Sequence, residues 1–291
     1  MTPLRLLFST GSLYPLDTAQ CFELAAAVAD DPHLDAGFDG IEVMCDNRYS
    51  TRDPAYLLEL SSRYNLPILV LHTPFGNRVS GWSGRGAIAM IEQTLELAEY
   101  LDAETIVVHL PLWLTRARFS SPQLRFSLPW WQPSGPLRRW LTQTLPTLQQ
   151  QTPVHIAIEN MPARKVWGRT LNPAWYNSVA AWSRVHDRLT LDTTHWATFG
   201  VNPLEPLAQA GDRVAHIHLS NFDGREHRLP HRGLLDLGRF VQTLAETDYA
   251  GTVSLELHPD ALKLGERSAL QQNLRDSVAF CRRHSRTKPA S

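Results

Sequence analysis

The chain predicts an α/β fold of one domain, a closed (β/α)8 TIM barrel, on three observations. Strand-like apolar runs alternate strictly with amphipathic helical stretches, which implies a parallel sheet covered by helices. The alternation reaches eight units, enough for the sheet to close on itself. The length of 291 residues is near the roughly 250 typical of such barrels. Hydrophobic content of 43% and charged content of 20% belong to a globular protein that buries a large core. No apolar stretch approaches the roughly 18 residues that span a bilayer, and MTPLRLLFSTGS turns polar too soon for a signal peptide. The expectation is a cytoplasmic protein without membrane contact. Cys21, Cys45 and Cys281 are odd in number and far apart, which speaks for buried thiols and against a disulfide framework.

The first run, LRLLFST, leads to a helix starting near Asp17, and FDGIEVMC to a helix over 54–64. PILVLHT precedes a helix over 87–101, ETIVVHL one over 137–150, and HIAIENM one over 173–186. RLTLDTT precedes a short helix after Pro203, VAHIHLS one over 235–247, and TVSLELH the last, over 267–283. Gly and Pro mark the turns between units, as in AGFDG, NLP and DYAG. No Gly- or Ser-rich linker divides the chain, so residues 1–284 form the barrel and 285–291 (SRTKPAS, from Ser285) a loose polar tail.

One connection breaks the rhythm. After His109 the chain reads PLWLTRARFSSPQLRFSLPWWQPSG, long for a loop of this kind and rich in Trp and Arg. It suggests a lid over the barrel mouth, a surface for an anionic ring-bearing substrate, or a subunit interface. The net charge of −1 conceals an asymmetry: 112–171 holds eight basic residues and one acid, leaving 20 basic against 28 acidic elsewhere. A local positive field on an acidic protein favours a small anionic substrate over nucleic acid.

Glu159, Asp192, His218 and Glu256 stand at or just past the ends of four successive runs, HIAIEN, RLTLDTTH, VAHIHLS and TVSLEL. A parallel barrel brings the carboxyl ends of its strands to one face, so residues 33, 26 and 38 positions apart can meet on one ion. Three carboxylates and one imidazole suit a divalent cation such as Mn, Zn, Mg or Co. His72 and His109 end the third and fourth runs on the same face. His195 follows Asp192 by three residues and His227 follows His218 by nine. His72 and His109 look like a second metal shell, while His195 would sit on the loop above Asp192 and His227 would return over the mouth. His216 lies one layer deeper and is expected to be structural, like His33, His155, His186 and His284, while His231 and His258 stay unassigned near the mouth.

Together GFDGIEV, VLHTPF, VVHLP, IENMP, LDTTH, HIHLSN and SLELHP resemble the xylose isomerase-like barrel superfamily over nearly the whole chain. That superfamily includes sugar isomerases and epimerases as well as endonuclease IV, and its shared metal set matches Glu159, Asp192, His218 and Glu256. In the ketose epimerase branch the resemblance implies that Glu159 and Glu256 are also the acid/base pair, while the ion stabilises an enediolate. His195 there resembles a substrate contact, and Arg225 stands close to an arginine of that branch. In the endonuclease IV branch three zinc ions use further ligands, which His72, His109, His195 and His227 match. The chain departs from that pattern where an Asp is expected two residues before the last histidine, since Arg225 and Glu226 precede His227. The expected function is a divalent-metal-dependent sugar or sugar-phosphate isomerase or epimerase. Its catalytic residues are Glu159, Glu256 and His195, and its substrate-binding residues His72, His109, Arg225 and His227. A multi-metal phosphoesterase is the alternative, a barrel that binds without turnover is a third reading, and a homo-oligomer stays open.

Overall fold

The eight apolar runs become eight strands: β1 (Arg5–Ser9), β2 (Gly40–Met44), β3 (Ile68–His72), β4 (Thr105–His109), β5 (His155–Glu159), β6 (Leu189–Asp192), β7 (Val214–Leu219) and β8 (Thr252–Leu255). All are parallel and pair in chain order, and the ring closes where β1 meets β8, with Arg5 opposite Thr252 and Phe8 opposite Leu255. The computed structural model describes residues 4–29, 34, 36–75, 78–120 and 125–286, with the backbone alone at 116–120 and 125–129. His33, most of the tail over 285–291, and the side chains of Arg116, Arg118 and Arg125 therefore lie outside the described residues. Among those described, no helix is long and apolar enough to cross a membrane.

Strands covered on both faces stay apolar without alternating. Leu6, Phe8, Ile41, Ile106, Ile156 and Ile217 are fully buried in the main core, where the strands meet the apolar stripes of the helices. Inside the ring the apolar layer is small, formed by Leu7, Val70 and Val107. Register carries the same face upward from that layer. Ser9 pairs with Glu42, His109 with Glu159, Thr190 with Glu159, Asp192 with His218, and His218 with Ser254. Paired residues of a parallel sheet share a face and the side-chain period is two, so the candidate ligands point into the barrel together.

Helices occupy Thr18–Ala26, Pro54–Tyr64, Ala87–Tyr100, Leu204–Ala210, Leu237–Glu246 and Arg267–His284. Asp17 and Gln20 form a reciprocal capping box on the first, and Asp53 caps the second ahead of Pro54. The stretch expected as one helix over 137–150 is helical from Gly135 to Gln151 but widens to a π turn over Trp140–Thr144. Pro146 lies two residues past that turn, and its missing N–H breaks the regular i to i−4 ladder there. The helix expected over 173–186 is corrected to Val179–Val185, capped by Ser178. Upstream, Asn177 accepts from Met161 N at 3.0 Å and donates to Met161 O at 2.8 Å, which holds 173–177 as a loop with Tyr176 at positive φ. The long connection after β4 is an antiparallel hairpin of Leu114–Ser120 and Arg125–Trp131, and a smaller one, Arg164–Val166 with Arg169–Leu171, follows β5.

The last helix is strapped to the barrel base by Arg282, which donates to Leu4 O at 2.8 Å, Gly37 O at 2.6 Å and Asp39 Oδ2 at 2.8 Å. Asp39 Oδ2 in turn accepts from Leu6 N at the start of β1.

Candidate metal centre

Glu159, Asp192, His218 and Glu256 each offer one atom to a cluster whose members all lie within 4.8 Å of one another. His218 Nδ1 is 2.9 Å from Glu159 Oε1, 3.0 Å from Glu256 Oε2 and 4.0 Å from Asp192 Oδ2. Two atoms each about 2.1 Å from one octahedral ion stand roughly 3.0 Å apart when adjacent and 4.2 Å when opposite, so the spacing fits a shared cation. Asp192 Oδ2 is buried without a hydrogen-bond partner, its nearest imidazole nitrogens standing 3.8 and 4.0 Å away. An orphaned carboxylate oxygen is costly unless something else takes it up, and a divalent ion does. The donor set and its geometry therefore fit the metal that the strand-end pattern implies.

The other Asp192 oxygen is occupied. Oδ1 accepts from His195 N at 2.7 Å and Thr194 Oγ1 at 2.9 Å, capping the short helix Thr193–Ala197 that follows β6. That helix delivers His195, whose Nδ1 is 2.7 Å from Asn160 O and 3.6 Å from Glu159 Oε1, and whose Nε2 faces Asp192 and Glu226 at 3.8 and 3.7 Å. His109 and His72 converge on Glu159 Oε2 at 3.1 and 3.5 Å. Asp192, His195 and His227 form a further group of possible ligands, with His227 Nδ1 3.3 Å from Ser220 Oγ.

Below the cluster lies a group the strand-end pattern did not contain. Glu42 is fully buried on β2; its Oε1 accepts from Ser9 Oγ at 3.2 Å, and its Oε2 is 3.0 Å from His216 Nε2 and 3.2 Å from His218 Nε2. Burial works against ionisation of Glu42 and Glu159, yet the charge of His218 outweighs it and holds both well below the usual carboxylate range. Glu256 is pulled down to about 2 in the same way. His218 is correspondingly held well above the ordinary imidazole value, because Glu42, Glu256 and Glu159 overcome its burial. His195 is raised by Asp192 and Glu159 against burial, whereas burial lowers His109 despite Glu159. The pocket thus favours positive charge at His218.

Above the cluster, a cavity of about 220 Å³ opens at the barrel mouth, bounded by His72, His109, Glu159, His195, His227 and Glu256. Arg164, Glu226 and Phe75 also line it, and Phe75 lies against the rings of His72 and His109 at 5.3 and 4.9 Å. Arg225 is not brought in: its side chain is 71% exposed and paired with Asp223 at 3.0 Å. His258 caps a turn by accepting from Asp260 N, and His231 lies near Phe280 of the last helix. A larger cavity of about 490 Å³ sits at the opposite end among strand beginnings, with Arg5, Glu104, His155 and Arg188. That face of a barrel serves stability rather than chemistry.

A model of the xylose isomerase-like TIM barrel family matches residues 32–284. An uncharacterized protein of Mycobacterium leprae (strain TN) is 29% identical, the match covering 94% of this chain and 95% of the relative. One from Mycobacterium tuberculosis (strain H37Rv) is 28% identical over 95% and 96%. Among solved structures, D-psicose 3-epimerase from Clostridium cellulolyticum H10 superposes with a TM-score of 0.66 at 13% identity, covering 96% of this chain and 99% of that one. An AP endonuclease, family 2, from Brucella melitensis gives 0.63 at 15% identity, covering 94% and 97%. Identities this low bear on fold alone. With the family model spanning most of the chain and the ring of eight parallel strands closed, the chain belongs to the xylose isomerase-like TIM barrel family.

Proposed function

We infer that the protein is a divalent-metal-dependent isomerase or epimerase of a sugar or sugar phosphate. The observation that carries the reading is the small cavity over the cluster, into which both Glu159 and Glu256 open. At about 220 Å³ it is below the roughly 300–1,000 Å³ of drug-sized sites and suits a monosaccharide-sized substrate. A bound ion supplies Lewis acidity toward the carbonyl and adjacent hydroxyl oxygens. Glu159 and Glu256 approach His218 from different strands, so one can take a proton from a substrate carbon and the other return it. His109 and His72 hold Glu159 Oε2 in place, and Arg164 at the rim suits a phosphate or other anionic substituent. Kinship of fold with D-psicose 3-epimerase, solved with D-tagatose, agrees with a ketose-like substrate.

The test is a panel of ketoses and their phosphates incubated in D2O with metal-loaded protein, reading deuterium uptake next to the carbonyl. Glu159→Gln and Glu256→Gln should each abolish uptake while the fold persists, because both residues stand at strand ends above the packed layer. Retained turnover in both variants sinks the mechanism.

A second reading rests on two of the three further groups of possible ligands, His72–His109–Glu159 and Asp192–His195–His227, whose histidines line the barrel mouth. Ions in those two groups and in the main cluster would make the site a phosphoesterase, and Glu226 near His195 would add a carboxylate where Arg225 turns away. Elemental analysis of chelator-free protein separates the two: one ion per chain supports the isomerase, two or three with hydrolysis of a phosphodiester support the esterase.

A further inference from the structure

Glu42 is buried and beneath the site rather than in it, which calls for a reason. A carboxylate at 0% exposure is retained only when paired, and here the partners are two histidines of β7 and a serine of β1. His216 is the simpler partner. Its Nδ1 stands 2.7 Å from Thr252 Oγ1 and its Nε2 3.0 Å from Glu42 Oε2, so a neutral ring donating from Nε2 and accepting the threonine hydroxyl satisfies every atom.

His218 is different, because its Nδ1 faces Glu159 and Glu256 and must shed its proton to ligate. The remaining proton then belongs on Nε2, and Glu42 Oε2 at 3.2 Å is the one carboxylate near that nitrogen among the described residues. The contact is off the line of an ideal hydrogen bond, and it leaves Nε2 without a formal partner, so charge carries most of the interaction. Ser9 fixes the other Glu42 oxygen, and His216 shares Oε2, so the carboxylate cannot swing away.

We propose that Glu42 is a positioning residue for the metal centre: it selects the Nε2–H tautomer of His218 and thereby presents Nδ1 to the ion, with His216 and Ser9 holding Glu42 in register. This rests on His218 being a ligand. Carboxylates behind a ligating histidine raise its basicity, and their loss costs about 10–100-fold in metal affinity. In Glu42→Gln the charge is lost and the shape kept.

The experiment is a competition titration of Zn or Mn against a chelator, with the Co(II) absorption spectrum and the melting temperature of the ion-free protein as parallel readouts. Glu42→Gln should bind about 10–100-fold more weakly than wild type, with an altered Co(II) spectrum and an ion-free melting temperature no lower than wild type. Affinity within twofold of wild type overturns the proposal, as does an affinity loss accounted for by unfolding alone. A measurement on the unaltered chain guards against a variant that does not fold. Histidine labelled with 15N in zinc-loaded wild type should show His218 bound through Nδ1 with a proton on Nε2, and the reverse tautomer refutes the assignment. His218→Ala is the control for the site itself: undiminished metal binding there refutes the ligand reading rather than the role of Glu42.

Discussion

Replacing Asp192 separates two jobs that one carboxylate performs. Oδ1 caps the helix Thr193–Ala197, while Oδ2 is buried, without a hydrogen bond, and faces the cluster. Asp192→Asn keeps an oxygen for the cap and sets an NH2 donor against the cation. Asp192→Ala removes both, leaving the buried His195 N–H and Thr194 hydroxyl short of an acceptor. That loss costs about 2–4 kcal/mol. For a chain of this size the unfolding entropy is about 0.6 kcal/mol per degree, so the alanine variant should melt roughly 3–7 °C lower. The asparagine variant should melt within about 2 °C of wild type when both are stripped with chelator. Addition of metal at 100 times its Kd stabilises wild type by about 2.7 kcal/mol, or roughly 4–5 °C, and should leave the asparagine variant unmoved. Differential scanning calorimetry with and without chelator reads all of these. A metal-induced rise in Asp192→Asn equal to wild type refutes the ligand role, and equal melting of the two ion-free variants refutes the cap.

Cys21, Cys45 and Cys281 are buried, and burial pushes each thiol up to about 12. Because the folded values lie above the ordinary 9, the stability linked to them is full below about pH 9 and is lost as pH rises toward 12. The melting temperature should fall above pH 9, and no thiol should react with a disulfide reagent at pH 8 until denaturant is added; rapid native labelling contradicts the burial. Arg282→Met severs three bonds at the barrel base and should cost about 2–3 kcal/mol, roughly 3–5 °C. An unchanged melting temperature shows that the strap contributes nothing.

The barrel was legible because each strand is covered on both faces and so keeps a continuous apolar run, and because strand ends converge in any such ring. Glu159, Asp192, His218 and Glu256 could be placed together on that ground alone. Glu42 escaped because it lies inside the run GIEVM rather than at its end, where an acid reads as an interruption of a strand. A signal was present: a charge in the middle of a strand covered on both faces must have a buried partner. Arg225 stays outside the cavity for a local reason, since Asp223 two residues away offers its guanidinium a bidentate hold at the surface. The long connection after β4 concealed its strand pair because those strands join no larger sheet and so carry no continuous apolar run. The shortened helix before β6 depended on Asn177, whose contacts with Met161 join segments that periodicity treats separately.

The pairing of β1 with β8 has a kinetic meaning. It joins the two ends of the chain, with Arg5 opposite Thr252, and so is among the last contacts that loop-closure entropy allows to form. The four clustered side chains all come from the later half of the chain, at or just past the ends of β5 through β8, and can gather on a half-barrel before the seam is shut. Glu42 arrives from β2, 176 residues before His218 in the numbering, and reaches that imidazole only across the finished ring. An ion added during refolding should therefore meet a loose early site first and a tight one only when the seam closes, which makes metal affinity a clock for the final step of folding.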